Sequence, residues 1–359
     1  MSVANTQKID MATQMAVANE VVQSAPKVDY MEMEDVAAHK IFPDLFEPGT
    51  VKLKRRKHRH PDCIQSNPMY VPDPEMAKLA LVWLMAPKQM LALGLQGHTG
   101  TGKTELAMYL ADKLNLPLYI VKVHARMNPQ DIEGSYVIDA QDGHAVTHKE
   151  YGPAAKAYKT GGILLLDEFD KASGELTSAM HLLVEGKPWP LEMFKETIMK
   201  HSQCYVIGTA NTFGSGHDDR YITSNQMDQA FLSRFMWLET QYPDVVRESK
   251  ILATFAPKLP ISLRNDIIKL ANAYRDAALG KNRDGDVDDP IQAIFSTRVV
   301  VAWAYYIQAF GLFRTLKQSL DCVFLKSVAE EEKSIVNDIA VKVFGDQLDK
   351  PLKELVSKK

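Results

Sequence analysis

The stretch Gly97-His98-Thr99-Gly100-Thr101-Gly102-Lys103-Thr104 has the spacing Gly-x4-Gly-Lys-Thr, and those residue types have a physical use at that spacing. Glycines let a backbone curl until successive N–H groups point at one centre, which makes a cradle for anions. Lys103 sets a positive charge against the same centre, and a helix beginning beside it adds the partial charge of its N-terminus. Together these suit the β- and γ-phosphates of ATP, with the Thr104 hydroxyl on a magnesium ion. Gly97 through Thr104, with Glu105 in the first helical turn, are the expected nucleotide contacts. The pattern arises by chance in other chains. Here an apolar strand over 90–95 precedes it and an amphipathic helix over 105–114 follows, which is the context that gives it meaning.

A second set of residues fits the same chemistry. The apolar run 163–166 ends in Asp167-Glu168, so a strand delivers two carboxylates at its C-terminal end, where ligands bind in open α/β sheets. Asp167 is expected to hold magnesium through water, and Glu168 to polarise the attacking water as general base. Asn211 closes another apolar run, and its amide can orient that water; the bland alternative is a turn-forming asparagine. Arg234, just before the run 235–239, can reach the γ-phosphate of a neighbouring subunit and stabilise transition-state charge; the bland alternative is a surface ion pair. Arg298 opens a late helix, against the dipole preference of a helix N-terminus, and a phosphate contact in cis would explain it.

These residues need a scaffold, and the apolar pattern supplies one. Short Val/Ile/Leu runs at 90–95, 118–123, 163–166, 204–209 and 235–239 alternate with helical stretches, which predicts a doubly wound α/β core with a five-stranded parallel sheet. Beyond Tyr242-Pro243 only helical spacing remains, at 244–255, 261–278, 297–310 and from 316 onward, so a small all-helical lid domain is expected. The expected division is an N-terminal extension over 1–69, a nucleotide-binding domain over 70–242, a helical lid over 243–346 and a tail over 347–359. The extension reads as a mobile tail with one short helix between Asp29 and Ala38. It is followed by a basic run from Lys52 to Arg59 that reads as a solvated linker or subunit contact. The Lys-rich last ten residues are expected to fray.

Composition narrows the function classes. A formal net charge of -3 over 359 residues does not suit a chain that coats nucleic acid, and the basic run lacks interleaved aromatics. Three scattered cysteines, with no CxxC pair, argue against a disulfide framework or zinc site and fit a reducing cytoplasm. His58, His60 and Cys63 lack a fourth ligand at zinc-like spacing. Asp284, Asp286 and Asp288 begin like a calcium loop, but Asp289 and Phe295 stand where it needs Gly and Glu, which leaves a solvated loop. The longest apolar run, 299–310, is too short to span a bilayer, and residues 1–26 lack the pattern of a secretory signal.

The ordered set Gly97–Thr104, Asp167-Glu168, Asn211, Arg234 and Arg298 resembles the AAA+ ATPases, and within them the MoxR group with its CobS-type and CbbQ-type members. The narrower likeness rests on three stretches. Asn128-Pro129-Gln130-Asp131-Ile132-Glu133-Gly134, followed by a hairpin pattern over 137–148, is similar to the insertion in helix 2 of that group. Residues 208–216 with Asn225-Gln226-Met227-Asp228 resemble the segment after the sensor-1 asparagine, and Ser296-Thr297-Arg298 the sensor-2 motif. The resemblance covers roughly residues 70–310. It implies a homo-oligomer, a hexameric ring with ATP and Mg2+ at subunit interfaces, and a partner with a von Willebrand factor A-type domain. It also implies the roles given above for Lys103, Thr104, Asp167, Glu168, Asn211, Arg234 and Arg298. The expected function is an ATP-driven motor that remodels or activates a partner complex. A nucleic-acid-stimulated motor and a slow nucleotide-gated assembly protein remain as alternatives.

Overall fold

The computed structural model describes residues 28–87, 90–141, 144–212, 225, 227–279, 281–282, 285–286, 291–310 and 314–356. The expected tail before residue 28, the Asp142-Gly143 turn, most of 213–226, Asp284, Asp288 and Asp289 of the acidic loop, and the last three residues lie outside them.

Five parallel strands form the central sheet: β1 Ala92–Gln96, β2 Leu118–Lys122, β3 Gly162–Asp167, β4 Cys204–Ala210 and β5 Phe235–Glu239, in the spatial order β5-β1-β4-β3-β2. Every residue of β3 is buried, which is why its sequence reads as a continuous apolar run with no alternation. Register brings the carboxyl ends together: Lys122 pairs with Asp167, Ala210 with Gln96, and Gln96 with Glu239. One face of the sheet is covered by the helices Pro74–Met85 and Lys103–Lys113, through Leu81, Leu84, Leu106 and Leu110. The other is covered by Pro153–Thr160 and Gly174–Glu185, through Ala157, Tyr158, Leu176 and Leu183. Asp73 caps the first of these helices, accepting from the backbone N–H groups of Glu75 and Met76, with Pro74 at the first helical position.

The lid is a separate core built from the helices Val245–Phe255, Ile261–Ala278, Thr297–Phe310, Leu316–Val323 and Lys333–Phe344. Tyr274 and Trp303 are fully buried there and keep their polar tips satisfied: the Tyr274 hydroxyl donates to the Val336 carbonyl at 2.9 Å, and Trp303 Nε1 to Ser319 Oγ at 2.9 Å.

Two terminal expectations are corrected. Residues 29–38 do not hold a helix: Met33–Ala37 is a strand, paired antiparallel with Lys52–Arg56, and only Ala38–Ile41 is helical. The basic run is not a solvated linker. Leu53 and Arg56 are the buried residues of the second strand, and Ile41, Phe42 and Leu45 between the strands join the core under Leu106 and Leu110. Arg56 is fully buried and donates from Nε to Gln203 Oε1 at 2.8 Å. Arg55 pairs with its cross-strand neighbour Glu34 at 2.8 Å, Lys57 with Glu32 at 2.9 Å and Arg59 with Asp112 at 2.7 Å. At the other end, Leu348 and Leu352 are buried in the lid core, so the segment up to Val356 is packed where fraying was expected.

The hairpin expected over 137–148 is longer, with strands Gly134–Gln141 and His144–Tyr151 in continuous register. Its side chains are mostly exposed, Ile138 at 69%. Glu196 anchors its base, taking contacts from Lys149 at 3.1 Å, Tyr151 at 2.7 Å and Lys159 at 2.8 Å; these donors hold the Glu196 carboxyl down at about 2.

Candidate active site

β1 ends at Gln96, and the glycine loop turns directly off it. Gly97 has φ 150° and Gly100 φ 76°. A Cβ on Gly97 would lie 2.1 Å from the Thr240 carbonyl oxygen, and one on Gly100 would lie 2.6 Å from Ser296 Cβ, so dihedral and space both exclude a side chain. Thr101 Oγ1 donates to the His98 carbonyl at 2.9 Å and lies 2.8 Å from Thr240 Oγ1, which holds the loop curled. Lys103 is buried at the centre. Its Nζ donates to the carbonyls of Gly97 at 2.5 Å and His98 at 3.0 Å and to Asn211 Oδ1 at 3.0 Å. Burial pulls the ammonium down to about 8 against the opposing pull of Asp170, Asp167 and Glu168. A cation held at such desolvation cost, among backbone that admits no Cβ, fits a polyanionic ligand.

The carboxyl ends of β3 and β4 face this loop. Thr104 Oγ1 donates to Asp167 Oδ1 at 2.7 Å, and Thr209 Oγ1 donates to the same oxygen at 2.8 Å. A hydroxyl and a carboxylate in contact are the hard oxygen donors that Mg2+ takes beside phosphates, so the donor set fits that ion. Glu168 follows in a left-handed conformation, φ 57° and ψ 41°, with its N–H donated to Thr209 Oγ1 at 2.9 Å. Its side chain meets Lys171 at 2.9 Å. Burial pushes the Glu168 carboxyl up, but the Lys171 hydrogen bond and charge, with Lys122 and Lys103 behind them, outweigh burial and leave it below the ordinary range. The Asn211 N–H donates to Asp170 Oδ2 at 3.0 Å; that carboxylate is fully buried and also accepts from Thr212.

Lys103, Thr104, Asp167, Glu168 and Asn211 thus stand together. Arg298, exposed at the start of Thr297–Phe310, is close enough for its charge to act on Lys103. Glu105 lies in the first turn behind the loop, where its charge acts on Tyr70. Arg234 stands apart. It precedes Phe235, which pairs with Ala92 at the amino end of β1, whereas the glycine loop leaves the carboxyl end. A five-residue strand separates the two, roughly 15 Å at the usual rise. Arg234 pairs instead with Glu185 at 2.5 Å.

Several residues at the site escaped the sequence reading. Tyr242, between sheet and lid, donates its hydroxyl to the Thr99 carbonyl at 3.2 Å, and its ring lies parallel to that of His98. The Arg275 guanidinium sits 4.3 Å over the Tyr242 ring. It also grips Glu248 at 2.7 and 2.8 Å and the Phe295 carbonyl at 3.1 Å, just ahead of Arg298. Beside the loop, a cleft of about 810 Å³ is lined by Tyr70, Val71, Pro72, Gln241, Arg247 and Lys250. The turn-rich run Tyr70-Val71-Pro72-Asp73-Pro74 before a helix was the one signal for it in the sequence.

Residues 92–235 match the AAA domain of the dynein-related subfamily. Over these residues the chain is similar to AAA+ ATPases. The chain is 28% identical over 184 residues to the denitrification regulatory protein NirQ of Stutzerimonas stutzeri, covering 50% of its own length and 62% of the relative. It is 25% identical to protein NorQ of Paracoccus denitrificans, over 77% of itself and 94% of the relative. It is 25% identical to the aerobic cobaltochelatase subunit CobS of Sinorhizobium sp, over 70% of itself and 75% of the relative. Against the two NirQ proteins the chain spans 62% and 57% of their lengths. Among solved structures, the Thermotoga maritima RuvB Holliday junction branch migration motor aligns at 14% identity and a TM-score of 0.41, over 75% of this chain and 67% of that one. Among the described residues no helix is long and apolar enough to cross a membrane, and no cluster of three His, Cys, Asp or Glu side chains could hold a metal ion.

Proposed function

We infer that this chain hydrolyses ATP to ADP and phosphate and, as a homo-oligomeric ring, turns hydrolysis into remodelling or activation of a partner protein complex. One observation carries the reading: Lys103, Thr104, Asp167, Glu168 and Asn211 converge at the carboxyl ends of β1, β3 and β4, around a loop that only glycine can build.

Each residue has a task. Lys103 and the loop N–H groups neutralise the phosphates. Thr104 and Asp167 would hold Mg2+, which supplies further charge neutralisation of the phosphates. Glu168 accepts a proton as the water oxygen bonds to the γ-phosphorus and the bond to the bridging oxygen breaks, releasing ADP. Asn211 orients that water. Arg298 senses the phosphate from the lid, and its helix follows directly on the segment that Arg275 ties to Tyr242 and His98. A change at the loop therefore has a physical path into the helical lid, whose core runs on to Leu352.

Arg234 supports the ring reading. Its station at the opposite end of β1 puts its own site out of reach, so it serves as a finger for a neighbour. The family's six-membered ring and a von Willebrand factor A-domain partner belong to this reading, as does a cytoplasmic setting. So does the exposed hairpin Gly134–Tyr151, as the element that meets the client. A protein client is favoured over nucleic acid because Arg55, Lys57 and Arg59 are already paired with acids of this chain.

Phosphate release by the full chain with Mg-ATP tests the reading. Turnover per subunit should rise with protein concentration as subunits lend Arg234 to one another. Turnover that stays constant from dilute monomer to assembled protein would contradict the shared site. Arg298→Ala should slow turnover about 100-fold with little change in ATP affinity, the usual scale for one lost charge-stabilising donor. Unaltered turnover in that variant removes Arg298 from its role.

A further inference from the structure

Arg234 is already engaged within its own chain. Nε donates to Glu185 Oε1 at 2.6 Å, Nη2 lies 2.5 Å from the same oxygen, and Nη1 donates to the Ala230 carbonyl. The backbone that carries it is fixed: its N–H donates to the Phe231 carbonyl at 3.1 Å, its own carbonyl accepts from Ala92 at 2.9 Å, and Phe231 and Phe235 on either side are buried. The side chain is not buried. It is 24% exposed and Glu185 is 30% exposed, so the ion pair sits where it can open.

Glu185 is also oddly placed for a helix. It is the last residue of Gly174–Glu185, where the carbonyl ends carry partial negative charge, and no basic residue stands in that last turn. An acid there is unfavourable unless a cation comes to it from elsewhere in the fold, and Arg234 is that cation.

We propose that Glu185 is the resting partner of Arg234 and competes for its guanidinium with the nucleotide of the neighbouring subunit, so that ring closure on ATP breaks this ion pair. The proposal rests on the trans role of Arg234 given above and makes Glu185 a positioning residue. A triphosphate carries more negative charge than one carboxylate and offers several oxygens to the guanidinium fork where Glu185 offers one, so it wins the competition when it is present. Loss of the γ-phosphate weakens that claim, and Glu185 takes the guanidinium back.

The test is a double-mutant cycle read by assembly. Full-length wild type, Glu185→Gln, Arg234→Ala and the double variant are sedimented with Mg2+ and a non-hydrolysable ATP analogue. Glu185→Gln should lower the protein concentration for half-assembly about 3- to 5-fold, the scale of one exposed ion pair. The affinity of dilute subunits for the analogue should not change. In the Arg234→Ala background the same substitution should have no effect. A Glu185→Gln shift that is absent, reversed or still present without Arg234 overturns the proposal. If Glu185→Gln does not fold, Glu185→Asp, which withdraws the carboxylate by one methylene, is read the same way. Failure of the underlying reading is distinguishable: Arg234→Ala alone would then keep wild-type turnover.

Discussion

Glu168→Gln is expected to lower steady-state ATP turnover about 1000-fold, within the range for removal of a general base, while ATP still binds. The two side chains are nearly isosteric, and the local frame does not depend on the carboxylate. The backbone N–H is held by Thr209 at 2.9 Å, and Lys103, Thr104 and Asp167 make their contacts without it. What is lost is proton acceptance and the ion pair with Lys171. Turnover would be measured by phosphate release and affinity by calorimetry on the same preparation. A variant that turns over normally would show that water is activated by another group. A variant that no longer binds ATP would show that Glu168 supports the loop instead.

Arg275→Met should destabilise the lid by about 3–5 kcal/mol, the usual cost of leaving one half of a buried pair uncompensated. Glu248 is fully buried and Arg275 is 5% exposed, so neither charge can turn to water when its partner goes. The same substitution takes the cation from the Tyr242 ring and frees the Phe295 carbonyl. Urea denaturation, followed by fluorescence of the buried Trp303, would report the loss. A change below about 1 kcal/mol, the scale of an exposed pair, would mean that the pair does not hold the lid together. Pairing Arg275→Met with Glu248→Leu should recover much of the loss, because the orphaned carboxylate is then removed.

The sheet was legible because buried parallel strands leave an uninterrupted apolar signature: 235–239 coincides with β5, and 163–166 falls inside β3. The loop and the two carboxylates were legible because their chemistry demands fixed spacing along the chain. The residues missed work through contacts distant in sequence. Tyr242, Arg275 and Glu248 look individually like ordinary surface or helix residues, and only the fold stacks them behind His98. The hairpin of Met33–Ala37 and Lys52–Arg56 was misread for a similar reason. Leu53 and Arg56 are the buried residues of the second strand, three positions apart and so on opposite faces, which leaves no period-2 apolar alternation to read. Arg234 was legible as a cation ahead of a strand, but Glu185, the carboxylate that holds it, is separated from it by 49 residues.

The most direct test of the site is calorimetric titration of ATP, with and without Mg2+, into the folded full-length chain and its Lys103→Ala variant. The ammonium at the heart of the loop makes three hydrogen bonds at 2.5 to 3.0 Å to groups lining the cradle. Its removal should weaken magnesium-dependent ATP binding about 100-fold or more, as expected for loss of charge-assisted bonds. Equal affinity in the two proteins, or no magnesium-dependent heat with the wild type, would contradict a phosphate cradle centred on Lys103.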